Sequence, residues 1–403
     1  MKILYLSYYF RPDITAAAFR SSDFVDFLTQ ENIENRIITT YPHKSDEVIG
    51  EEESFLHPIK RVRLKRMKGK GFMSYILHYM SFVPKAFYAA LQWRWKGWKP
   101  TVIYISSPPI FIGLVGVMLK WTFRCHMVLE IRDIWPDSAV AAGQLRSEGW
   151  AYKIARIFEK WLYRKSDGLV CVGNYMKEYL QDYTDKHICV AYNGPKEATV
   201  NAVTELKVSP KKEEKVLKLA YAGNFGLVQG LEHLIEAFSK MSSVKFRWEL
   251  HFFGAGVMEE ALKNQVVELK IEHQVHFHGA FPKNELNKLL VDMDVLFLGL
   301  IKADALEKTI PSKLFDYLSF GKPIIAALIG EGKEILQQNK ANIVVDDCTA
   351  EFILKGIESV DNHFDEMSLA ANNNISLLKN GFTREVNNQK IKRYLLKTLN
   401  VKL

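Results

Sequence analysis

Short apolar runs alternate with amphipathic helical stretches along nearly the whole chain, and that alternation limits the fold more than any other feature. "KILYLSYYF", "NRIITTY", "RVRLKR", "TVIYISS", "HMVLEIRD", "GLVCVG" and "ICVAYNG" read as strands. Helical stretches lie between them: "AAAFRSSDFVDFLTQEN", Phe72 to Gln92, Ile110 to Thr122 and "WAYKIARIFEKWLYRKS". A second series has the strands "VLKLAYAG", "RWELHFFG", "VHFHG", "DVLFLGL", "PIIAAL" and "ANIVV", again with helices between. Strands alternating with helices predict doubly wound parallel sheets.

The apolar period lapses from Lys196 to Lys215, a polar stretch rich in Lys and Glu that reads as a loop. At 403 residues the chain is long for one core and suits two domains of about 200 residues. The expected division is a first domain at residues 1–195, a linker at 196–215, a second domain at 216–380, and a C-terminal helix at 381–403 that crosses back over the first domain. In open α/β sheets ligands bind beyond the carboxyl ends of the strands, so two such domains facing across a cleft would carry their motifs there.

Composition narrows the setting. Hydrophobic content of 48% and charged content of 25% are ordinary for a soluble globular protein. Cys125, Cys171, Cys189 and Cys348 form no CxxC pair. Cysteines used this sparsely predict a reducing cytosol, with no disulfide framework and no zinc site. Arg11, Pro12 and Asp13 end the first apolar run early, which suits a strand and not a signal peptide. Pro108-Pro109 interrupts the apolar stretch Val102 to Trp121, so a strand, a turn and a buried helix are expected there in place of a membrane span.

The net charge is +8, unevenly spread: Ser54 to Val128 holds thirteen Lys and Arg and no Asp or Glu. Within it "WRWKGWK" interleaves Trp93, Trp95 and Trp98 with Arg94, Lys96 and Lys99. Indoles favour the bilayer interface, and each nearby cation contributes on the order of 1 kcal/mol against anionic lipid. The stretch therefore predicts an anionic membrane surface as a partner; the competing reading is a basic solvated face over aromatic core. No nucleic-acid-binding motif accompanies the charge, so nucleic acid is not expected.

Chemistry concentrates at the strand ends. "TIPSKLFDYLSFGKP" follows the strand "DVLFLGL". Pro311 suits a first helical position, leaving the amides of Ser312, Lys313 and Leu314 without intrahelical partners. A helix start attracts anions, and Lys313 adds a full charge there. Asp316 lies one turn deeper, about 5–6 Å from Ser312 on the same face. That is the step from a diphosphate to a ribose diol. A Lys–Asp surface pair is the plainer alternative. "YAGNFGLVQG" offers Gly223, Asn224 and Gly226 in a turn where backbone can approach phosphate, with Gln229 following. It is neither a dinucleotide fingerprint nor a Walker loop. After Gly279, Ala280 and Phe281 are placed to meet a base edge. His276 and His278 alternate with apolar residues and read as structural. In the first domain, Arg132 and Asp133 follow a strand, and Asp13 and Arg20 flank the first strand–helix junction. A carboxylate there could position or deprotonate an acceptor hydroxyl.

Taken in order, "YYFRPD…AAAFR", "PPIFIG", "RDIWPDS", "YNG", "YAGNFGLVQGLEHLIEAF", "FFGAG", "FHGAF" and "PSKLFDYLSFGKPIIA" resemble the retaining glycosyltransferases of family 4, over nearly the whole chain. The branch is similar to L-fucosaminyltransferases of O-antigen and capsule synthesis. The resemblance implies the GT-B fold, two Rossmann-like domains, and cytosolic work at the inner face of the cell membrane. It implies a nucleotide-sugar donor, with UDP the expected nucleotide, and a lipid-linked glycan acceptor. By position, Gly223, Asn224, Gly226 and Gln229 would lie by the donor phosphates. Ser312, Lys313 and Leu314 would hold the pyrophosphate, Asp316 the ribose, and Ala280 with Phe281 the base. Asp13, Arg20, Arg132 and Asp133 would serve the acceptor, and Lys313 and Asp133 the chemistry. No cofactor or metal is expected, because no DxD motif stands at a strand end. The chain departs from the family at Lys308 and Asp316, where many members carry a Glu-x7-Glu pair, and at Asn224 and Gln229, where many carry Arg and Lys. The remaining alternatives are a nucleotide-sugar epimerase of the same architecture and a non-catalytic membrane-surface scaffold.

Overall fold

The computed structural model describes residues 1–13, 15–42, 58–65, 72–141, 145–206, 216–242 and 244–399. Arg66, Lys68 and Lys70 of the acid-free span and residues 207–215 of the expected linker lie outside them. The chain divides into two compact units, Met1–Tyr192 with Glu385–Leu403, and Asn193–Arg384.

The first unit is built on seven strands: β1 (Lys2–Ser7), β2 (Glu34–Thr40), β3 (Ile59–Val62), β4 (Val102–Ser106), β5 (His126–Ile131), β6 (Gly168–Cys171) and β7 (Ile188–Val190). They pair in the order β3-β2-β1-β4-β5-β6-β7, all parallel. Side chains alternate between two cores. Leu4, Leu6, Ile103, Ile105 and Leu129 pack on one face against the helices Phe82–Trp95, Ile112–Phe123 and Trp150–Lys165. Ile3, Tyr5, Val102, Tyr104 and Val128 pack on the other against Ala16–Gln30 and the last helix, Arg384–Thr398. Burial on both faces is why these strands read as unbroken apolar runs. Tyr394 fixes the last helix to the sheet: its hydroxyl accepts from Leu169 N at 3.1 Å and donates to the His187 carbonyl at 2.6 Å.

The second unit repeats the winding with β8 (Val216–Ala222), β9 (Arg247–Phe253), β10 (Val275–Phe277), β11 (Val295–Gly299), β12 (Ile324–Ala327) and β13 (Asn342–Val345). The order is β10-β9-β8-β11-β12-β13, all parallel. Strand order reverses between β8 and β11, and such a switch point opens a crevice at the carboxyl ends.

Three expectations need adjusting. Residues read as loop after Lys196 contain a helix, Glu197–Glu205, whose buried stripe is only Val200 and Val203. The helix expected from Phe72 to Gln92 is two, Phe72–Met80 and Phe82–Trp95. The three indoles of "WRWKGWK" do not share a surface: Trp93 and Trp98 are 6% and 4% exposed, against 67% for Trp95. Trp98 Nε1 donates to Glu34, and the Arg36 guanidinium lies over its ring at 4.5 Å. Several cations of the same span also serve the interior. Lys60 donates to the Ala89 carbonyl at 2.8 Å, Arg61 to the Arg11 carbonyl at 2.7 Å, and Lys120 pairs with Asp167 at 2.7 Å. Among the described residues no helix is long and apolar enough to cross a membrane.

Candidate functional site

The second unit's site begins with the helix Ser312–Leu318, which follows β11. Leu314, Phe315 and Leu318 are at most 1% exposed and anchor it. Burial stabilises by roughly 1.5–3 kcal/mol for each such side chain. The helical period then turns Lys313 and Tyr317, four residues apart, toward the end of β8. Tyr317 Oη accepts from Ala222 N at 2.8 Å. Lys313 Nζ donates to Tyr221 Oη and sits over that ring, 4.1 Å from its centroid. Tyr221 Oη in turn donates to the Asn224 carbonyl at 2.8 Å, so strand, turn and lysine form one chain of contacts.

Two glycines shape the contacts here, and the backbone of the first demands one. Gly223 has φ +143°, and a Cβ on it would overlap Lys313 Cε and Nζ. Gly226 leaves room for the side chains of Gln229 and Asn224, which a Cβ would strike. Lys313 therefore lies against bare backbone at the strand-order switch. Burial pushes its pKa down from 10.5 to about 7, with Asp316 pulling the other way. Gln229 Oε1 is buried without a hydrogen-bond partner beside the same turn.

The helix start differs from expectation. Pro311 holds extended backbone, φ −63° and ψ 127°, and so caps the helix from outside it. The Leu314 amide donates to the Pro311 carbonyl at 3.0 Å and is not left open. With only seven residues the helix has a weak dipole, and the charge at this place is that of the Lys313 ammonium. Asp316 is paired with Lys283 at 3.1 Å, a contact between half-exposed side chains. Lys283 opens the helix Lys283–Val291 after β10, and sequence reasoning passed over it. So did Tyr221 and Tyr317, which the chain positions through their hydroxyls. Lys302, in the loop after β11, pairs with Asp347 at 3.4 Å. Ala280 and Phe281 follow β10; Phe281 is 37% exposed and its ring lies 6.3 Å from Phe253. The Gly254 amide donates to the Gly279 carbonyl at 2.7 Å, tying the two strand ends together.

In the first unit, Arg132 and Asp133 follow β5. Arg132 Nε donates to the Ser107 carbonyl at 2.6 Å, while its Nη2 is buried without a partner. Asp133 Oδ1 is likewise buried and unpartnered. Burial raises the Asp133 pKa and Arg132 opposes the rise. Asp13 is buried, its amide donating to the Phe10 carbonyl at 3.1 Å. Arg20 is committed to the interior: it pairs with Glu130 at 2.5 Å and donates to the carbonyls of Ala191 and Tyr192 at 3.1 and 3.2 Å. Asp137, of "DIWPDS", is spent on Tyr152 and Arg156.

Comparison with known proteins agrees with this architecture. Residues 202–374 match the family model described as Glycosyl transferases group 1, and residues 54–194 match the Glycosyl transferase 4-like domain. A probable glycosyltransferase of Pseudomonas aeruginosa, WbjE, is 23% identical over 62% of the chain, and the match spans 63% of that relative. The putative colanic acid biosynthesis glycosyl transferase WcaI of Escherichia coli is 24% identical over 80% of the chain and 82% of its own length. Among solved structures, sucrose-phosphate synthase of Thermosynechococcus elongatus superposes with a TM-score of 0.73 at 14% identity, covering 100% of both chains. Anabaena HepE, crystallised with UDP and glucose, superposes with a TM-score of 0.70 at 14% identity over 98% of this chain and 100% of its own.

Proposed function

We propose that this chain, a GT-B glycosyltransferase, moves a hexosyl or N-acetylhexosaminyl group from a UDP-sugar to a lipid-linked surface-polysaccharide glycan, with retention of anomeric configuration. The observation that carries the reading is Lys313, seated on Gly223 and Tyr221 at the switch point of the second sheet. A cation held there meets the negative charge that grows on a departing diphosphate. Support for UDP comes from HepE, solved with UDP and glucose; support for a polysaccharide acceptor comes from the colanic acid name of WcaI.

The chain's own groups divide the work. Lys313, with the Gly223–Gly226 turn, holds the diphosphate. Asp316, oriented by Lys283, receives the ribose diol, and Ala280 with Phe281 flanks the base. Asp133, Arg132 and Asp13 receive the acceptor at the strand ends of the first unit, and Arg20 braces them through Glu130. In the transfer, the bond from the anomeric carbon to the diphosphate oxygen breaks as the acceptor oxygen bonds on the same face. The acceptor's proton passes to the departing phosphate oxygen. This route asks for positioning and charge stabilisation, and needs no nucleophilic carboxylate. On the first unit, Tyr88, Trp95 and Trp121 stand exposed among Lys85, Arg94, Lys96, Lys99 and Arg124. That aromatic and basic face is the proposed contact with an anionic membrane, on its cytoplasmic side.

Incubation with a panel of UDP- and GDP-sugars, with and without lipid-linked acceptor, tests the reading. Acceptor-dependent release of UDP is the expected result. Epimerised donor without release would replace transfer by epimerisation, and no turnover with any pair would leave only binding.

A further inference from the structure

One face of the second sheet carries a cluster that sugar transfer does not use. Glu249, His251 and His276 each offer one donor atom, and these atoms lie within 4.8 Å of one another. The strands explain the meeting. Glu249 and His251 are two apart on β9 and share a face, while Leu250 and Phe252 turn to the core on the other. His276 of β10 stands beside His251 in parallel register. Their rings are 4.9 Å apart.

His251 is 7% exposed, yet its Nε2 has no hydrogen-bond partner. The nearest carboxylate, Glu249 Oε2, is 3.5 Å away, beyond a good hydrogen bond. A buried nitrogen left without a partner is destabilising, so its retention asks for a reason. The other nitrogen, Nδ1, is 2.9 Å from His278 Nε2. A hydrogen bond there from Nδ1–H fixes the tautomer and leaves the Nε2 lone pair toward Glu249. Metal-binding histidines are held in this way by an outer partner.

We infer that Glu249, His251 and His276 bind a divalent first-row transition-metal ion of the zinc class, with His278 as the outer partner of His251. Two imidazoles and one carboxylate suit such borderline ions better than calcium or magnesium, which prefer all-oxygen sets. Bonds of about 2.0–2.2 Å would bring donors to roughly 3.3 Å apart, a rotamer adjustment from the separation seen. The ion would clamp β10, an edge strand of three residues, to β9, and so steady the Gly279–Phe281 segment that follows. Lys218, in register with Glu249, opposes the added charge and keeps the site modest in affinity. The ion site itself stands whether or not the donor assignment holds.

The test is titration of the chelator-treated full chain with Co²⁺, followed by the visible ligand-field bands and displacement by Zn²⁺. The expected result is one Co²⁺ per chain, displaced by Zn²⁺. Glu249→Gln and His276→Gln should each abolish the bands. His278→Phe should weaken binding by about tenfold to 100-fold, the effect of losing an outer partner. Melting of each variant in chelator shows that it is folded. Absence of bands in the wild-type chain at saturating Co²⁺ overturns the site by itself. So does equal binding by the wild type and the folded Glu249→Gln and His276→Gln variants, which would place the ion on other histidines.

Discussion

Lys313 carries its charge where the surroundings resist one. Burial brings its pKa to about 7, against 10.5 in the unfolded chain. The unfolded state thus binds more protons between those values, and the unliganded protein gains stability as pH rises from about 7 toward 10.5. A bound diphosphate favours the ammonium and raises the pKa again, so binding takes up a proton. UDP affinity should be flat well below pH 7 and should fall by up to about tenfold per unit above it, until the pKa of the complex is passed. A pH series of UDP titrations checks this, and a flat profile from pH 6.5 to 9 would sink it. Asp316 makes a second prediction. Asp316→Asn should cost UDP binding about 1.5–3 kcal/mol, the range for a hydrogen bond to a charged group. A 2′,3′-dideoxy UDP should bind mutant and wild type alike. An equal loss for both nucleotides would mean that the carboxylate acts only through its pair with Lys283. The position of Lys313 at a helix start was legible from "PSKLFDY", because a proline before a helical run is a local signal. Its partner Tyr221, 92 residues away, was not, since only the sheet order brings β8 beside the helix after β11.

At the scale of elements, the buried strands were the easiest to read, because each is covered on both faces and leaves a run of apolar residues. Helices with wide stripes were also clear. The Glu197–Glu205 helix was not, since two valines among polar residues give no period to detect. Nor was the pairing of Lys283 with Asp316, which joins the start of one helix to the second half of another. The helix Phe82–Trp95 shows the limit of charge reading: it buries Trp93 while exposing Tyr88, Arg94 and Trp95. If this helix meets a membrane, reversal of Arg94, Lys96 and Lys99 to Glu should release the protein from anionic vesicles. Attraction at such a surface is screened within about 8 Å at physiological salt, so wild-type pelleting should also fall steeply as salt rises. UDP affinity should stay unchanged, because the residues proposed to hold the diphosphate lie in the second unit. Equal co-sedimentation of wild type and triple mutant would make this face a solvated surface.

For the whole molecule, two sheets wound in the same sense, each continued past a switch point, account for both family matches and for the likeness to solved GT-B structures. That architecture could be read from alternation alone, since a parallel sheet needs a crossover between every pair of strands. The return of Glu385–Leu403 to the first unit could not be derived that way, because it rests on contacts such as Tyr394 with Leu169 and His187. The most direct test of the central claim is calorimetric titration of UDP into the wild type and Lys313→Met at pH 7.5. The account predicts one UDP per chain in the wild type, with proton uptake. In the variant it predicts affinity lower by roughly 100-fold, the scale for losing one preorganised charge stabiliser, with the melting temperature not lowered. Binding by the variant within about threefold of wild type, a difference below 1 kcal/mol, would contradict it.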